Sequence, residues 1–255
     1  MMILLIRRKW ILGSVVFLLT AATVLSFYAK PPAVAALSYI QLPKSEMIIL
    51  DAGHGGSDGG AVSADGTPES GINLAIAQRL QDFFALMGRE TILTRTSAAS
   101  LADPDSTTLR QEKVSDTKNR VALINSVSGG SLISIHQNTL PGHPSVHGAQ
   151  VFYGKTATSD VRARSVQESL NSAVNQGNEK ASKPIGSDIY IMAHVSCPAI
   201  LVECGFLSNS SETKLLLDPV YQTKLAVAIG CGYLQYGYGD ILEKYDNIFL
   251  HRVRQ

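Results

Sequence analysis

Residues 47–61 read MIILDAGHGGSDGGA, an apolar run followed at once by a glycine-rich segment with one histidine. The run Met47–Leu50 is short, continuous and apolar, which is typical of a strand buried on both faces of a sheet. The glycines that follow allow the chain to turn tightly away from that strand. This stretch therefore predicts a buried strand that delivers Asp51 and His54 to the edge of a sheet.

The rest of the chain alternates between strand and helix patterns. Strands are predicted at 47–50, 91–94, 132–135, 149–153 and 199–202, and helices at 72–87, 117–125, 161–174 and 219–236. Such alternation is typical of a largely parallel sheet with helices on both faces. With 255 residues, 45% of them hydrophobic, the chain can bury one substantial core. We expect one α/β domain over 45–237, followed by a polar tail at 238–255.

The N-terminal segment predicts export. Three basic residues at 7–9 precede an apolar stretch, 10–27, that has no charged residue. A basic cluster before such a run stays in the cytoplasm and sends the following chain across the membrane. The run is near the lower limit of about 17–25 residues for a spanning helix, so 1–29 is either a cleaved signal peptide or a retained membrane anchor. A proline-containing linker is predicted at 30–44.

Charge and cysteine content exclude some functions. Lysine and arginine number 22 against 21 aspartates and glutamates, so the chain has no overall field to attract nucleic acid. Cys197, Cys204 and Cys231 form no CxxC pair, which argues against a cysteine zinc site. Cys197 and Cys204 bracket an apolar run, which favours small buried side chains over a disulfide between them.

Chemically active side chains follow three of the predicted strands. His54 follows the first strand, His136 the third and Glu203 the fifth. In an open α/β sheet, ligands gather at the carboxyl ends of the strands. Two histidines and one carboxylate are a common ligand set for a catalytic zinc ion that keeps one position open for water, and Glu69 is the predicted carboxylate. Glu203 then remains available as the base that takes a proton from the attacking water.

Each of these residues also has a purely structural interpretation. A single histidine after a strand is more often a hydrogen-bonded loop residue than a metal ligand. Glu69 suits a helix start, where a negative charge is favourable, and Glu203 suits a solvent-facing strand end. Asp51 either orients His54 or stabilises the turn. Asn138 either contacts substrate or lies in an exposed loop.

Four separated motifs resemble a known family. They are ILDAGHGGSDGGA, PESGINLAIAQRL, SIHQN followed by GAQVFYG, and PAILVECGFLSN, in that order within residues 45–237. Together they look like the zinc-dependent N-acetylmuramoyl-L-alanine amidases of the bacterial cell wall. The stretches SLADPDS and YIMAHV further resemble the germination-specific amidases of spore-forming bacteria.

The resemblance implies an exported enzyme with one Zn²⁺ per chain, held by His54, Glu69 and His136, and with Glu203 as the catalytic carboxylate. The implied substrate is the peptidoglycan amide that joins N-acetylmuramic acid to L-alanine of the stem peptide. In the germination-specific subgroup, removal of that peptide between the forespore membranes precedes formation of muramic δ-lactam in the spore cortex. The implied partners are peptidoglycan, an accessory exported protein and a muramoyl deacetylase that acts next.

Two features depart from the family pattern. Ser70 and Gly71 follow Glu69 where the family often has a lysine and then an acidic or polar residue, and Cys204 stands where a different residue is usual. We expect Gly71 to loosen the helix start and with it the Glu69 ligand. Two other functions stay open, namely a catalytically silent peptidoglycan-binding module and a different zinc hydrolase such as a deacetylase or a peptidase.

Overall fold

The structure is a computed structural model that describes the backbone of residues 46–253 and the side chains of residues 46–236. The predicted signal or anchor segment, 1–29, and the predicted linker, 30–44, lie outside the described residues. Of the helices that are described, none combines the length and the hydropathy needed to cross a bilayer.

The described strands form one mixed sheet. They are β1 (Ile48–Ala52), β2 (Thr91–Leu93), β3 (Ser131–Asn138), β4 (Gln150–Tyr153), β5 (Lys183–Pro184) and β6 (Ala199–Phe206). Their order across the sheet is β2-β1-β3-β6-β4-β5. Neighbouring strands are parallel except β4 and β6, which run antiparallel. The predicted mostly parallel sheet is confirmed.

Helices cover both faces of this sheet, as the sequence predicts. They are α1 (Glu69–Leu86), α2 (Leu109–Ser126), α3 (Ser159–Ala173), α4 (Tyr190–His194), α5 (Ser210–Leu217) and α6 (Pro219–Val253). Alternate side chains of β1 enter two separate apolar clusters. Ile48 and Leu50 pack with α1, α3, α5 and α6, whereas Ile49 packs with α2 and α4.

Several elements extend beyond their predicted ends. β3 continues to Asn138 and β6 to Phe206, so His136 and Glu203 lie within paired strands instead of after them. These polar positions carry no apolar strand pattern, and the pairing of β3 with β6 is what keeps them extended. The last helix continues to Val253, through most of the predicted tail.

Helix α2 begins at Leu109, eight residues before the predicted start at 117. Its first half is polar and lacks an apolar stripe, so periodicity does not reveal it. The start is fixed instead by a capping box, in which the Thr108 side chain accepts from the Gln111 backbone and the Gln111 side chain accepts from the Thr108 backbone. The short elements β5, α4 and α5 are not predicted from the sequence.

Candidate metal centre

Three side chains with metal-binding atoms meet at the carboxyl edge of β1 and β3. His54 lies in the loop after β1, Glu69 is the first residue of α1, and His136 lies in β3. One ligand atom from each lies within 4.8 Å of the others. His54 Nε2 is 2.9 Å from Glu69 Oε1, and His136 Nδ1 is 3.6 Å from Glu69 Oε2. The structure thus brings together the three residues that the sequence predicts as ligands.

The Glu69 carboxylate is held firmly in place. The backbone N–H of Ala61 donates to Oε1 at 2.9 Å. The backbone N–H of Gln137 donates to Oε2 at 2.6 Å, and the Asn73 side chain donates to the same oxygen at 3.1 Å. Glu69 is buried, with only 3% of its surface exposed. Two of these donors, Ala61 and Gln137, lie outside α1 and hold the carboxylate from other segments. The expected loosening by Gly71 stays a prediction.

Two glycines of the opening stretch allow the close approach of these ligands. A Cβ on Gly53 would lie 2.2 Å from Cε1 of the His136 ring. A Cβ on Gly60 would lie 2.3 Å from Oε1 of Glu69. The glycine-rich segment is therefore needed for packing around the site as well as for the turn. His54 itself has a φ of 63°, a left-handed conformation that is uncommon outside glycine and often found at functional sites.

The partner of His54 is Asp58, which the sequence analysis does not single out. His54 Nδ1 lies 2.8 Å from Asp58 Oδ2. Asp58 Oδ1 accepts a hydrogen bond from the Gly60 backbone at 3.1 Å and lies 2.8 Å from Lys113 Nζ. An Nδ1–H bonded to a carboxylate leaves Nε2 as the nitrogen that faces Glu69.

The prediction that Asp51 orients His54 is wrong. Asp51 is two residues after Ile49 and therefore shares the side of β1 that faces α2, whereas the ring nitrogens of His54 face Asp58 and Glu69. Its carboxylate is fully buried and accepts hydrogen bonds from Thr94, Ser134 and Arg120 at 2.7–3.1 Å. Burial opposes its ionisation, but Arg120 and these hydroxyl donors outweigh that effect and lower its pKa to about 2. Asp51 therefore supports the packing of α2 on the sheet.

Glu203 lies next to the cluster. It pairs in register with His136 on β3 and with Gln150 on β4. Its Oε2 atom is buried and has no hydrogen-bond partner among the described residues. Burial of the carboxyl raises the pKa of Glu203 to about 7, although the nearby His136 acts in the opposite direction. A carboxyl with a pKa near neutrality is suited to accept and return a proton.

Asn138 is not part of the cluster. The register of β3 with β6 shifts between His136 and Asn138, which interrupts the simple alternation of side chains. The Asn138 side chain accepts a hydrogen bond from the Thr139 backbone at 2.7 Å. Its role towards substrate stays a prediction. Cys197 and Cys204 fit the favoured interpretation, since both are buried free thiols, and Cys231 is an exposed free thiol.

The charges of the cluster are mutually compensating. Burial opposes ionisation of Glu69, but the contacts with His136 and His54 outweigh it and hold its pKa well below the usual range. Burial likewise opposes a positive charge on His54, yet Glu69 and Asp58 raise its pKa. Positive charge is thus favoured at the point where the two imidazoles face Glu69. Two imidazole nitrogens and one carboxylate oxygen fit a bound divalent cation at that point, with the unpartnered Glu203 oxygen beside them.

The fold and this site define a class of protein, an α/β protein with a mostly parallel sheet and a candidate metal centre at its carboxyl edge. Residues 48–233 match the model of the family described as N-acetylmuramoyl-L-alanine amidase. The chain belongs to this family, so the predicted enzyme class is confirmed.

Individual relatives agree with this assignment. The germination-specific N-acetylmuramoyl-L-alanine amidase of Bacillus subtilis is 39% identical over 196 residues, which cover 76% of this chain and 81% of that protein. Among solved structures, the CwlD amidase from Clostridioides difficile, in complex with the GerS lipoprotein, matches with a TM-score of 0.72 and 40% identity. That match covers 75% of this chain and 98% of the CwlD chain. An N-acetylmuramoyl-L-alanine amidase from Clostridium difficile 630 matches with a TM-score of 0.65 and 28% identity, over 75% and 96% of the two chains.

Proposed function

We propose that this protein is a zinc-dependent amidase that cleaves the peptidoglycan bond between N-acetylmuramic acid and L-alanine during synthesis of the spore cortex. The observation that carries the proposal is the His54–Glu69–His136 cluster beside the unpartnered carboxylate oxygen of Glu203. Family membership supplies the substrate bond, and the cluster supplies the residues that would act on it.

His54, Glu69 and His136 would hold the zinc ion. When bound, Zn²⁺ supplies a Lewis acid that polarises the scissile carbonyl and lowers the pKa of water. The donors on Glu69 and on His54 Nδ1 keep the ligands preorganised, so that little ordering is needed when the metal binds.

Glu203 would move the proton. As the attacking water forms its bond to the amide carbon, the Glu203 carboxylate takes a proton from that water. The same proton then passes to the amide nitrogen as the carbon–nitrogen bond breaks. The products are the lactyl carboxylate of the muramic acid and the free amino group of L-alanine. Burial raises the pKa of Glu203, which suits a carboxyl that first accepts a proton and then returns it.

The spore role is supported by the relatives. Both the germination-specific amidase of Bacillus subtilis and the CwlD amidase of Clostridioides difficile exceed 35% identity with this chain. We propose export by the N-terminal segment, with or without its cleavage, into the space between the forespore membranes. An accessory lipoprotein is a proposed partner because the CwlD amidase was solved in complex with GerS. A muramoyl deacetylase is the proposed next enzyme, since δ-lactam formation requires the exposed lactyl carboxylate and a free amine.

Mass spectrometry of peptidoglycan digested by the protein tests this proposal. We expect release of intact stem peptides that begin with L-alanine, and loss of this activity in the presence of a chelator. Release of acetate would instead indicate a deacetylase, and cuts within the stem would indicate a peptidase. Cortex and vegetative peptidoglycan, compared at equal concentration, test the cortex preference.

The Glu203→Gln variant tests the mechanism. We expect it to keep its zinc content and to lose about 10²–10⁴-fold in kcat, because the amide cannot accept the proton from water. Glu168→Gln, at an exposed position on α3, is the matched control and should keep the activity of the unmodified protein. Activity of Glu203→Gln equal to that of Glu168→Gln would overturn the assignment.

A further inference from the structure

Helix α2 reaches the metal centre through the glycine-rich loop. Lys113 Nζ on α2 lies 2.8 Å from Asp58 Oδ1, and Asp58 Oδ2 lies 2.8 Å from His54 Nδ1. The neighbouring residues make a second contact between the same segments, since the Ser57 hydroxyl donates to the Glu112 carboxylate. A cationic side chain on α2 is therefore connected to a candidate zinc ligand by two consecutive contacts.

Both oxygens of Asp58 are used in this arrangement. Oδ2 faces His54, while Oδ1 faces Lys113 and also accepts from the backbone of Gly60 at 3.1 Å. The Asp58 side chain is largely shielded, with 13% of its surface exposed, whereas that of Lys113 is 47% exposed. Lys113 thus binds the Asp58 carboxylate on its solvent side, while the same carboxylate contacts His54 on its inner side.

His54 depends on such a restraint more than an ordinary loop residue does. Its backbone is in the left-handed region, at a φ of 63°, and its ring meets the His136 ring edge-on with centroids 5.0 Å apart. A carboxylate at Nδ1 fixes both the orientation and the tautomer of the imidazole. A rotated ring would withdraw Nε2 from Glu69.

We infer that Asp58 and Lys113 are positioning residues of the metal centre, which couple the affinity for zinc to the docking of α2 on the glycine-rich loop. This inference rests on the proposed function, because it takes the His54–Glu69–His136 cluster as the zinc site. Partners of this kind typically change metal affinity about 10–100-fold, and a half-exposed ion pair contributes less. We therefore expect Asp58 to have a larger effect on zinc affinity than Lys113.

Competition between the full-length protein and a chromophoric chelator measures zinc affinity directly. We expect Asp58→Asn to weaken zinc binding about 10–100-fold and Lys113→Met about 3–10-fold. Lys113→Arg should restore most of the affinity because it keeps the charge. Lys118→Met is the matched control, since Lys118 is exposed on the same helix and forms no ion pair with the described residues.

Absorption spectra of the cobalt-substituted protein provide a second readout. If Asp58 and Lys113 position the metal ligands, we expect the cobalt spectra of Asp58→Asn and Lys113→Met to differ from that of the unmodified protein. The melting temperatures of the metal-free variants should stay unchanged. Equal zinc affinity of Lys113→Met and Lys118→Met would overturn the inference even if Asp58→Asn fails to fold. If the unmodified protein binds no zinc, the proposed function fails first, and the two failures are thereby distinguished.

Discussion

Asn73 donates a side-chain hydrogen bond to Oε2 of Glu69, which lies 3.1 Å away and one helical turn earlier in α1. The same amide group donates to the carbonyl of Gly53 at 3.1 Å, and the Asn73 oxygen accepts from the Gln137 side chain at 3.1 Å. Asn73 is fully buried. One side chain therefore joins the three segments that carry the candidate ligands, namely the start of α1, the loop after β1, and β3.

Replacement of Asn73 by alanine should weaken both the fold and the metal site. The change leaves Glu69 and the Gly53 carbonyl short of a donor, and each buried group that loses its partner costs about 1–3 kcal/mol. We expect the free energy of unfolding in urea to fall by about 2–4 kcal/mol and zinc affinity to fall about 10-fold. Gln78→Ala, on the exposed side of α1, is the control and should stay within about 0.5 kcal/mol. Unchanged zinc affinity in Asn73→Ala would contradict this role.

Gly53→Ala should damage the metal site more than the fold. The backbone at Gly53 is not in the left-handed region, so alanine is tolerated there, but its Cβ would lie 2.2 Å from the His136 ring. The His136 ring or the Gly53 backbone must therefore shift, which disturbs the geometry between His136 and Glu69. We expect zinc affinity to fall at least about 10-fold, as for other displaced ligands, while urea unfolding stays cooperative. A variant with zinc affinity equal to that of the unmodified protein would show that the added methyl group does not displace a metal ligand.

Gly71→Ala should have the opposite effect. Gly71 lies in the first turn of α1, is exposed, and has nothing within 4 Å of the position of an added Cβ. Alanine restricts the unfolded chain and favours the helix, which is worth up to about 1 kcal/mol. We expect a higher melting temperature and unchanged zinc affinity. Higher zinc affinity in Gly71→Ala would mean that Gly71 loosens the helix start and with it the Glu69 ligand.

The sequence predicts the four central residues of the site because the ends of buried strands can be recognised in it. These residues are His54, Glu69, His136 and Glu203. Buried parallel strands appear as apolar runs, and their carboxyl ends necessarily meet at one edge of the sheet, which places His54, His136 and Glu203 near each other. Glu69 is found through its position before an amphipathic helix. These local patterns bring the side chains to one edge, and the resemblance to the amidase family is what favours their catalytic roles over their structural interpretations.

The supporting residues are not predictable in the same way. Lys113 and Asp58 are 55 positions apart, and their contact depends on how α2 docks on the glycine-rich loop. Asn73 does carry a local signal, because residues four apart on a helix are neighbours and Glu69 is one turn earlier. The capping box of α2, at Thr108 and Gln111, is also visible in the sequence and would have corrected the predicted helix start.

Asp51 provides a test of stability at acid pH. Its buried carboxylate accepts from Arg120, Ser134 and Thr94, and these contacts connect β1 with α2, with β3 and with the residue that follows β2. Burial disfavours the ionised form, but Arg120 and the two hydroxyl groups overcome this and lower the pKa from its ordinary value of 3.8 to about 2. The folded protein therefore binds fewer protons at this position than the unfolded chain does between these two pH values.

The linkage between proton binding and folding fixes the direction in which pH changes the stability contributed by Asp51. The stabilisation by Asp51 is complete above about pH 4 and is lost as the pH falls through about 2, and the shift in pKa corresponds to about 2 kcal/mol. We expect the difference in free energy of unfolding between the unmodified protein and Asp51→Asn, both metal-free, to be larger at pH 6 than at pH 2.5. Urea unfolding at the two pH values measures this difference. A difference that is the same at both would show that the Asp51 carboxylate is not held ionised by Arg120.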